Sequence, residues 1–255
     1  MRTQRISLGI AGLLMVGLFL GVPGAANAAD ETGTPWDRAL ATPGVHLRFV
    51  ELWRRLARPE DWAVQPSVRG TTVVSYGISG TGVPPGKQYH LWLGLSYQRP
   101  VRTRLLVHFN AAGELLTEAG NPLQVTLGAY HKGEPAEIGI ESTNGQIRAT
   151  ARVFLFPLEA SDRSCHLMVQ MLTADGKTFG ASADGFPPGS TVETVSRSDG
   201  EVLRRQVVVP GNGKFSVALL PAAVAGHRHA SFEVKASSCS VKVDYAWGAA
   251  ALVPQ

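Results

Sequence analysis

Hydrophobic and polar positions alternate through much of the chain. SVKVDYAW, Ser240 to Trp247, sets Val241, Val243, Tyr245 and Trp247 against polar or small neighbours. GKFSVALL does the same with Phe215, Val217 and Leu219, and QIRATARVF, Gln146 to Phe154, behaves similarly. A period of two marks half-buried strands, because successive side chains leave a strand on opposite faces. Asn144-Gly145 and Gly211-Asn212-Gly213 sit between such runs. Glycine and asparagine accept positive φ cheaply, so these are hairpin turns. One stretch offers helical spacing instead: Phe49, Leu52, Trp53 and Leu56 lie at i, i+3, i+4 and i+7, with Arg48, Arg54, Arg55 and Arg58 mostly elsewhere. Pro59 would stop such a helix. The opening VHLRFVELW also reads as a strand, so Val45 to Ala57 is left between a short N-terminal helix and a strand. A basic amphipathic helix can rest on an anionic membrane, but such a stripe more commonly packs on its own domain.

The alternation is organised by a repeat. SYGISGTGVPPGKQYHLWL from Ser75 aligns without a gap on TFGASADGFPPGSTVETVS from Thr178. Tyr76 matches Phe179, Gly77 matches Gly180, Ser79 matches Ser182 and Gly82 matches Gly185. Pro84, Pro85 and Gly86 match Pro187, Pro188 and Gly189 at the same offset. A weaker echo follows. FNAAGEL at Phe109 resembles PGNGKF at Pro210, and AEIGIESTNGQIRATARVF at Ala136 resembles SFEVKASSCSVKVDYAW at Ser231. The simplest account is a duplicated all-β module, and strands of this length spaced by turns indicate β-sandwiches. The boundaries read as a signal peptide at 1–28, an N-terminal extension at 29–70, a first module at 71–154, a linker at 155–164 and a second module at 165–251.

The first residues set the compartment. Arg2 and Arg5 precede the apolar run Ile6 to Val22, and Ala26 and Ala28 form an A-x-A cleavage pattern. That is a Sec-type signal peptide cut after Ala28. No later segment is long and apolar enough to span a bilayer as a helix. Without Arg2 and Arg5 the 24 basic residues fall to 22, against 20 acidic. A surface so nearly balanced makes no case for nucleic acid, which needs a concentrated basic stripe. Hydrophobic residues are 44% of the chain and charged residues 17%, which excludes wholesale disorder. The only two cysteines are Cys165 and Cys239. In an oxidising compartment an even count predicts one disulfide.

Several residues were weighed for chemistry. Gly82, Pro84, Pro85 and Gly86, with Gly185, Pro187, Pro188 and Gly189, could form a phosphate-cradling loop only ahead of a helix N-terminus. Strands flank both copies, so they read as structural turns in which glycine permits positive φ and proline presets the bend. His227 and His229 are two apart in GHRHAS and would share a strand face. A zinc or copper site needs a further ligand, and His131 is not evidently near, so no metal or other cofactor is expected. There is no G-x-S-x-G elbow and no S-x-x-K. Tyr89 and Trp92 are three apart, so they face opposite ways on a strand and one could meet a sugar or protein.

With the repeat on the page, GASADGFPPGSTV resembles a turn-strand pattern of bacterial extracytoplasmic immunoglobulin-like modules, in which a glycine, an aromatic and Pro-Gly precede a strand. The resemblance covers Thr71 to Gly248. It implies two tandem immunoglobulin-like sandwiches and a role in binding, adhesion or spacing. The first module departs from the second in having Val83 where Phe186 stands and in lacking cysteine. The expectation is a non-catalytic, secreted or cell-envelope protein with an unknown protein or glycan partner at the cell surface. The alternatives are an accessory carbohydrate-binding protein, or a hydrolase with a site at the domain junction.

Overall fold

The alternating segments all become strands. The computed structural model describes residues 5–7, 41–95, 101–221 and 228–255. Two compact units divide the chain. One comprises Met1–Gly94, Arg99–Ala129 and Glu137–Arg152, the other Leu95–Gln98, Tyr130–Ala136 and Val153–Gln255. Most of the expected signal peptide, 1–28, and the start of the extension, to residue 40, lie outside the described residues. Arg5–Ser7, strand β1, is described and pairs in parallel with Gln124–Thr126. Among the described residues no helix is long and apolar enough to cross a membrane.

In the first unit the strands are β2 (His46–Leu56), β3 (Thr72–Thr81), β4 (Gln88–Leu95), β5 (Val101–Phe109), β6 (Leu115–Thr117), β7 (Gln124–Gly128), β8 (Pro135–Ser142) and β9 (Arg148–Phe154). One sheet runs β1-β7-β3-β2 and the other β6-β5-β4-β8-β9. The second unit holds β10 (Leu158–Asp162), β11 (Cys165–Met171), β12 (Phe179–Asp184), β13 (Thr191–Ser198), β14 (Glu201–Val208), β15 (Phe215–Leu219), β16 (His229–Lys235) and β17 (Ser240–Ala246). Its sheets run β10-β11-β12-β15 and β14-β13-β16-β17. The order β2-β3-β7 recurs as β11-β12-β15, and β5-β4-β8-β9 recurs as β14-β13-β16-β17. The chain is a tandem repeat of one strand order.

Alternation and burial agree closely in the second unit. Cys165, Leu167, Val169 and Met171 of β11 are fully buried, while His166, Met168 and Gln170 are only half-buried. On β17, Val241, Val243 and Tyr245 face inward and Ser240, Lys242 and Asp244 are exposed. Phe179 and Tyr245 meet with centroids 4.7 Å apart. In the first unit Tyr76, Ile78, Tyr89, Leu91, Phe109, Ile138 and Ile140 are buried.

Two expectations need correction. Val45 to Ala57 contains no helix; it is the strand β2. The helical spacing is produced by a β-bulge. Phe49 pairs with Ile78 and Glu51 with Tyr76, but Trp53 pairs with Ser75, so Leu52 is the extra residue. Ile78 and Ser75 lie on opposite faces of β3, which places Phe49 and Trp53 on opposite faces of the sheet. Apolar groups on both faces plus one inserted residue imitate a helical stripe. The segment read as a linker, Leu155 to Ser164, is mostly β10, paired from Leu158↔Val169 to Asp162↔Cys165.

Among the described residues the α-helix is short, α1 (Pro59–Val64). Pro59 begins it rather than ending a preceding one, because proline suits the first helical turn. Asp61 fixes this corner. Its carboxylate accepts two bonds from the Arg55 guanidinium and one from the Arg58 backbone N–H at 2.7 Å. Arg55 also stacks over Trp53, 4.6 Å from the ring centre. The bond from Arg55, then that from Arg58, holds the Asp61 carboxyl below the usual range, against desolvation. A depressed carboxylate stabilises above its unfolded pKa and loses that contribution as pH falls through the folded value. Asp61→Asn is therefore expected to cost about 1–2 kcal/mol at neutral pH. The gap to the unsubstituted protein should close on acidification below about pH 4. Urea unfolding of both proteins at the two pH values checks this, and a gap unchanged by acid would refute the assignment.

Candidate functional site

Each copy of the repeated turn is built against backbone. Gly82 has φ +71°, and a Cβ there would lie 2.1 Å from the carbonyl oxygen of Gly44, just ahead of β2. Gly185 has φ +75°, and a Cβ there would lie 1.8 Å from the carbonyl oxygen of Ser164, just ahead of β11. The two glycines occupy the same place in the two units. Gly86 and Gly189 also have positive φ but meet open space. Their N–H groups donate to the carbonyls of Phe109 and Val209, at 2.8 and 2.9 Å. Pro84, Pro85, Pro187 and Pro188 are exposed. Phe186 is buried against Phe215, with centroids 5.8 Å apart.

The other singled-out residues scatter. Tyr89 is wholly buried, edge-on to Phe109, and burial raises its phenol pKa. It offers no face to a ligand. Trp92 is half-buried, and its indole nitrogen is enclosed without a hydrogen-bond partner. Cys165 and Cys239 are joined in a disulfide. His227 lies outside the described residues, and His229 is exposed at the start of β16. Among the described residues no cluster of histidine, cysteine, aspartate or glutamate could hold a metal ion. His131 instead pairs with Glu134, whose carboxylate is buried and also accepts the His131 backbone N–H at 2.8 Å.

Ionisable side chains form cross-strand pairs on sheet surfaces. Arg148 meets Glu141 at 2.7 Å, and Arg197 meets Glu233 at 3.1 Å. His166 lies 3.3 Å from Glu159 and 3.6 Å from Asp184. His90 contacts Arg102. Burial, helped by the Arg102 charge, holds its imidazole below the usual range, against the pull of Glu141. The more exposed of these, such as His166 with Glu159 and Asp184, contribute little individually.

The feature that sequence reasoning missed is a difference between the two units. In the first, β6 closes the flank next to β5, with Phe109↔Leu115 and Val107↔Thr117 paired. Leu115 and Thr117 are buried there. In the second, only Val209–Lys214 joins β14 to β15, and no strand matches β6. Among the described residues the flank is left as a groove of about 190 Å³ lined by Thr194, Ser196, Leu203, Arg205, Leu219 and Phe232. Six of the eight β14 residues from Glu201 onward are exposed in succession, Val202 and Leu203 at 52% each. The signal was present as length: β5 to β7 needs residues 110–123, whereas β14 to β15 is a short turn.

No family model matches the chain, and no curated protein matches it. Among solved structures it is similar to a crystal structure of a tetra-tandem repeat in the extending region of a large adhesion protein. That match has 14% identity and covers 80% of this chain and 49% of the other, with a TM-score of 0.25. The chain thus spans about half the length of that structure, and no role is transferred at this degree of similarity.

Proposed function

We propose that this is an exported, non-catalytic protein of two immunoglobulin-like sandwiches that acts by surface recognition, with a protein or glycan of the cell envelope as partner. The carrying observation is what the duplicated motif does. Gly82 and Gly185 each pack against the backbone leading into the first strand of their sandwich core, so the strongest sequence signal in the chain serves folding. Several described ionisable groups fit the same reading, being paired across neighbouring strands. Export is supported by the leader pattern in the sequence and by the disulfide, which suits an oxidising compartment.

The test is retention. Labelled protein without residues 1–28 is mixed with isolated cell envelopes and sedimented. The expected result is saturable co-sedimentation that excess unlabelled protein displaces. Absence of saturable binding, or catalytic turnover of an ester or glycoside by the purified protein, would sink the reading.

A further inference from the structure

We propose that the free edge of β14 is a self-association surface. Two copies pair β14 with β14, antiparallel about a two-fold axis. The register sets Leu203 opposite its own counterpart and Glu201 opposite the Arg205 position of the second copy. This goes beyond the envelope-binding role and does not depend on it.

Among the described residues β14 is the last strand of its sheet, so one side of its backbone has no strand partner there. Edge strands are usually blunted by proline, a bulge, very short length or charged side chains. β14 has only the last of these, at Glu201, Arg204 and Arg205. It contains no proline, and its register with β13 runs unbroken from Thr191↔Val208 to Ser198↔Glu201. The first unit covers only the end of the corresponding edge, Val107 to Phe109 of β5, with its own β6. The second leaves apolar Leu203 half out of the groove.

Charge then chooses the occupant. Glu201, Leu203 and Arg205 alternate along β14 and share one face. Among the described residues Arg204 pairs with Glu193 at 3.0 Å. Glu201 and Arg205 have no ion-pair partner there. These two unmatched charges flank Leu203 symmetrically. An antiparallel copy centred on Leu203 brings each Glu201 against an Arg205 and buries the two leucines together. Sliding by one residue in one direction centres the pairing on Arg204 and opposes two arginines. Sliding the other way sets Leu203 against Glu201. Opposed like charges destabilise a pair of strands, and opposite charges stabilise it. The edge is therefore complementary to itself, and a two-fold contact of this kind closes at two copies.

The experiment is sedimentation velocity on the exported, disulfide-bonded chain over a concentration series. A reversible dimer is expected. Glu201→Lys alone or Arg205→Glu alone should raise its Kd about tenfold or more, since each places like charges opposite one another twice. The double variant Glu201→Lys with Arg205→Glu should restore the original association. Both substituted positions are exposed, and unchanged circular dichroism verifies folding of all three variants. A monomer throughout the series overturns the proposal, as does a dimer indifferent to either reversal. Loss of the dimer in the single variants without recovery in the double overturns it as well.

Discussion

Replacing Cys165 and Cys239 together with serine is expected to lower the stability of the second unit by about 4 kcal/mol. The bridge ties the first residue of β11, in one sheet, to the turn between β16 and β17, in the other. The cysteines are separated by 74 positions in sequence. Opening a loop of that length frees the unfolded chain far more than the folded one, and chain-entropy arithmetic gives the figure above. A domain is typically stable by only about 5–15 kcal/mol, so the loss is a large share of the total. Trp247 is the reporter: it packs in the core of this unit and is 7% exposed. Its fluorescence in a urea titration should shift to a lower midpoint in the double-serine protein, and in the unsubstituted protein after reduction. Thiol titration of the oxidised, denatured chain should find no free cysteine. A midpoint unmoved by either treatment would mean the bridge does not constrain the chain.

The tandem strand order was legible because it is written twice in residues with narrow tolerances. Gln88 opens β4 and Thr191 opens β13, the same offset that relates the two Gly-x-Pro-Pro-Gly turns. Beyond Gly86 and Gly189 the correspondence weakens. The reason is physical: the first unit inserts β6 between β5 and β7, and the second does not. Alternation placed β9, β15 and β17 because each turns one face inward. It failed at β2, where Phe49 lies on one face, Trp53 on the other, and Leu52 is a bulge resting over Gly77. Periodicity assumes that one face is buried and no residue is extra. β10 was missed for another reason. LEASD carries few apolar residues, and its strand character comes from pairing with β11. Of Tyr89 and Trp92, one of which could have been exposed, Tyr89 is the one buried in the core. The open flank beside β14 was illegible to motif reading, since it consists of a strand that is absent.

Gly185→Ala is expected to destabilise the second unit by on the order of 3 kcal/mol, and Gly189→Ala by only about 1 kcal/mol. Both glycines have positive φ, near +75° and +73°, so each alanine meets a similar backbone penalty. Space separates them. At Gly189 the new methyl group finds nothing within 4 Å, but at Gly185 it would sit 1.8 Å from the Ser164 carbonyl oxygen. That oxygen is backbone and has no rotamer to yield. Ser164 is also tied to the turn, its hydroxyl donating to the Gly185 carbonyl at 3.2 Å. Moving it disturbs Cys165 next door, the anchor of the disulfide and the start of β11. The same contrast should recur in the first unit, with Gly82→Ala costly and Gly86→Ala mild, since a Cβ at Gly82 would lie 2.1 Å from the Gly44 carbonyl oxygen and one at Gly86 would again face open space. Urea midpoints for the four single variants check the pattern. If costs were equal within each pair, close packing against the strand entry would not be what these glycines provide. If the variants kept full stability but lost envelope retention, the turns would be contact loops, and the duplicated motif would have been kept for a ligand.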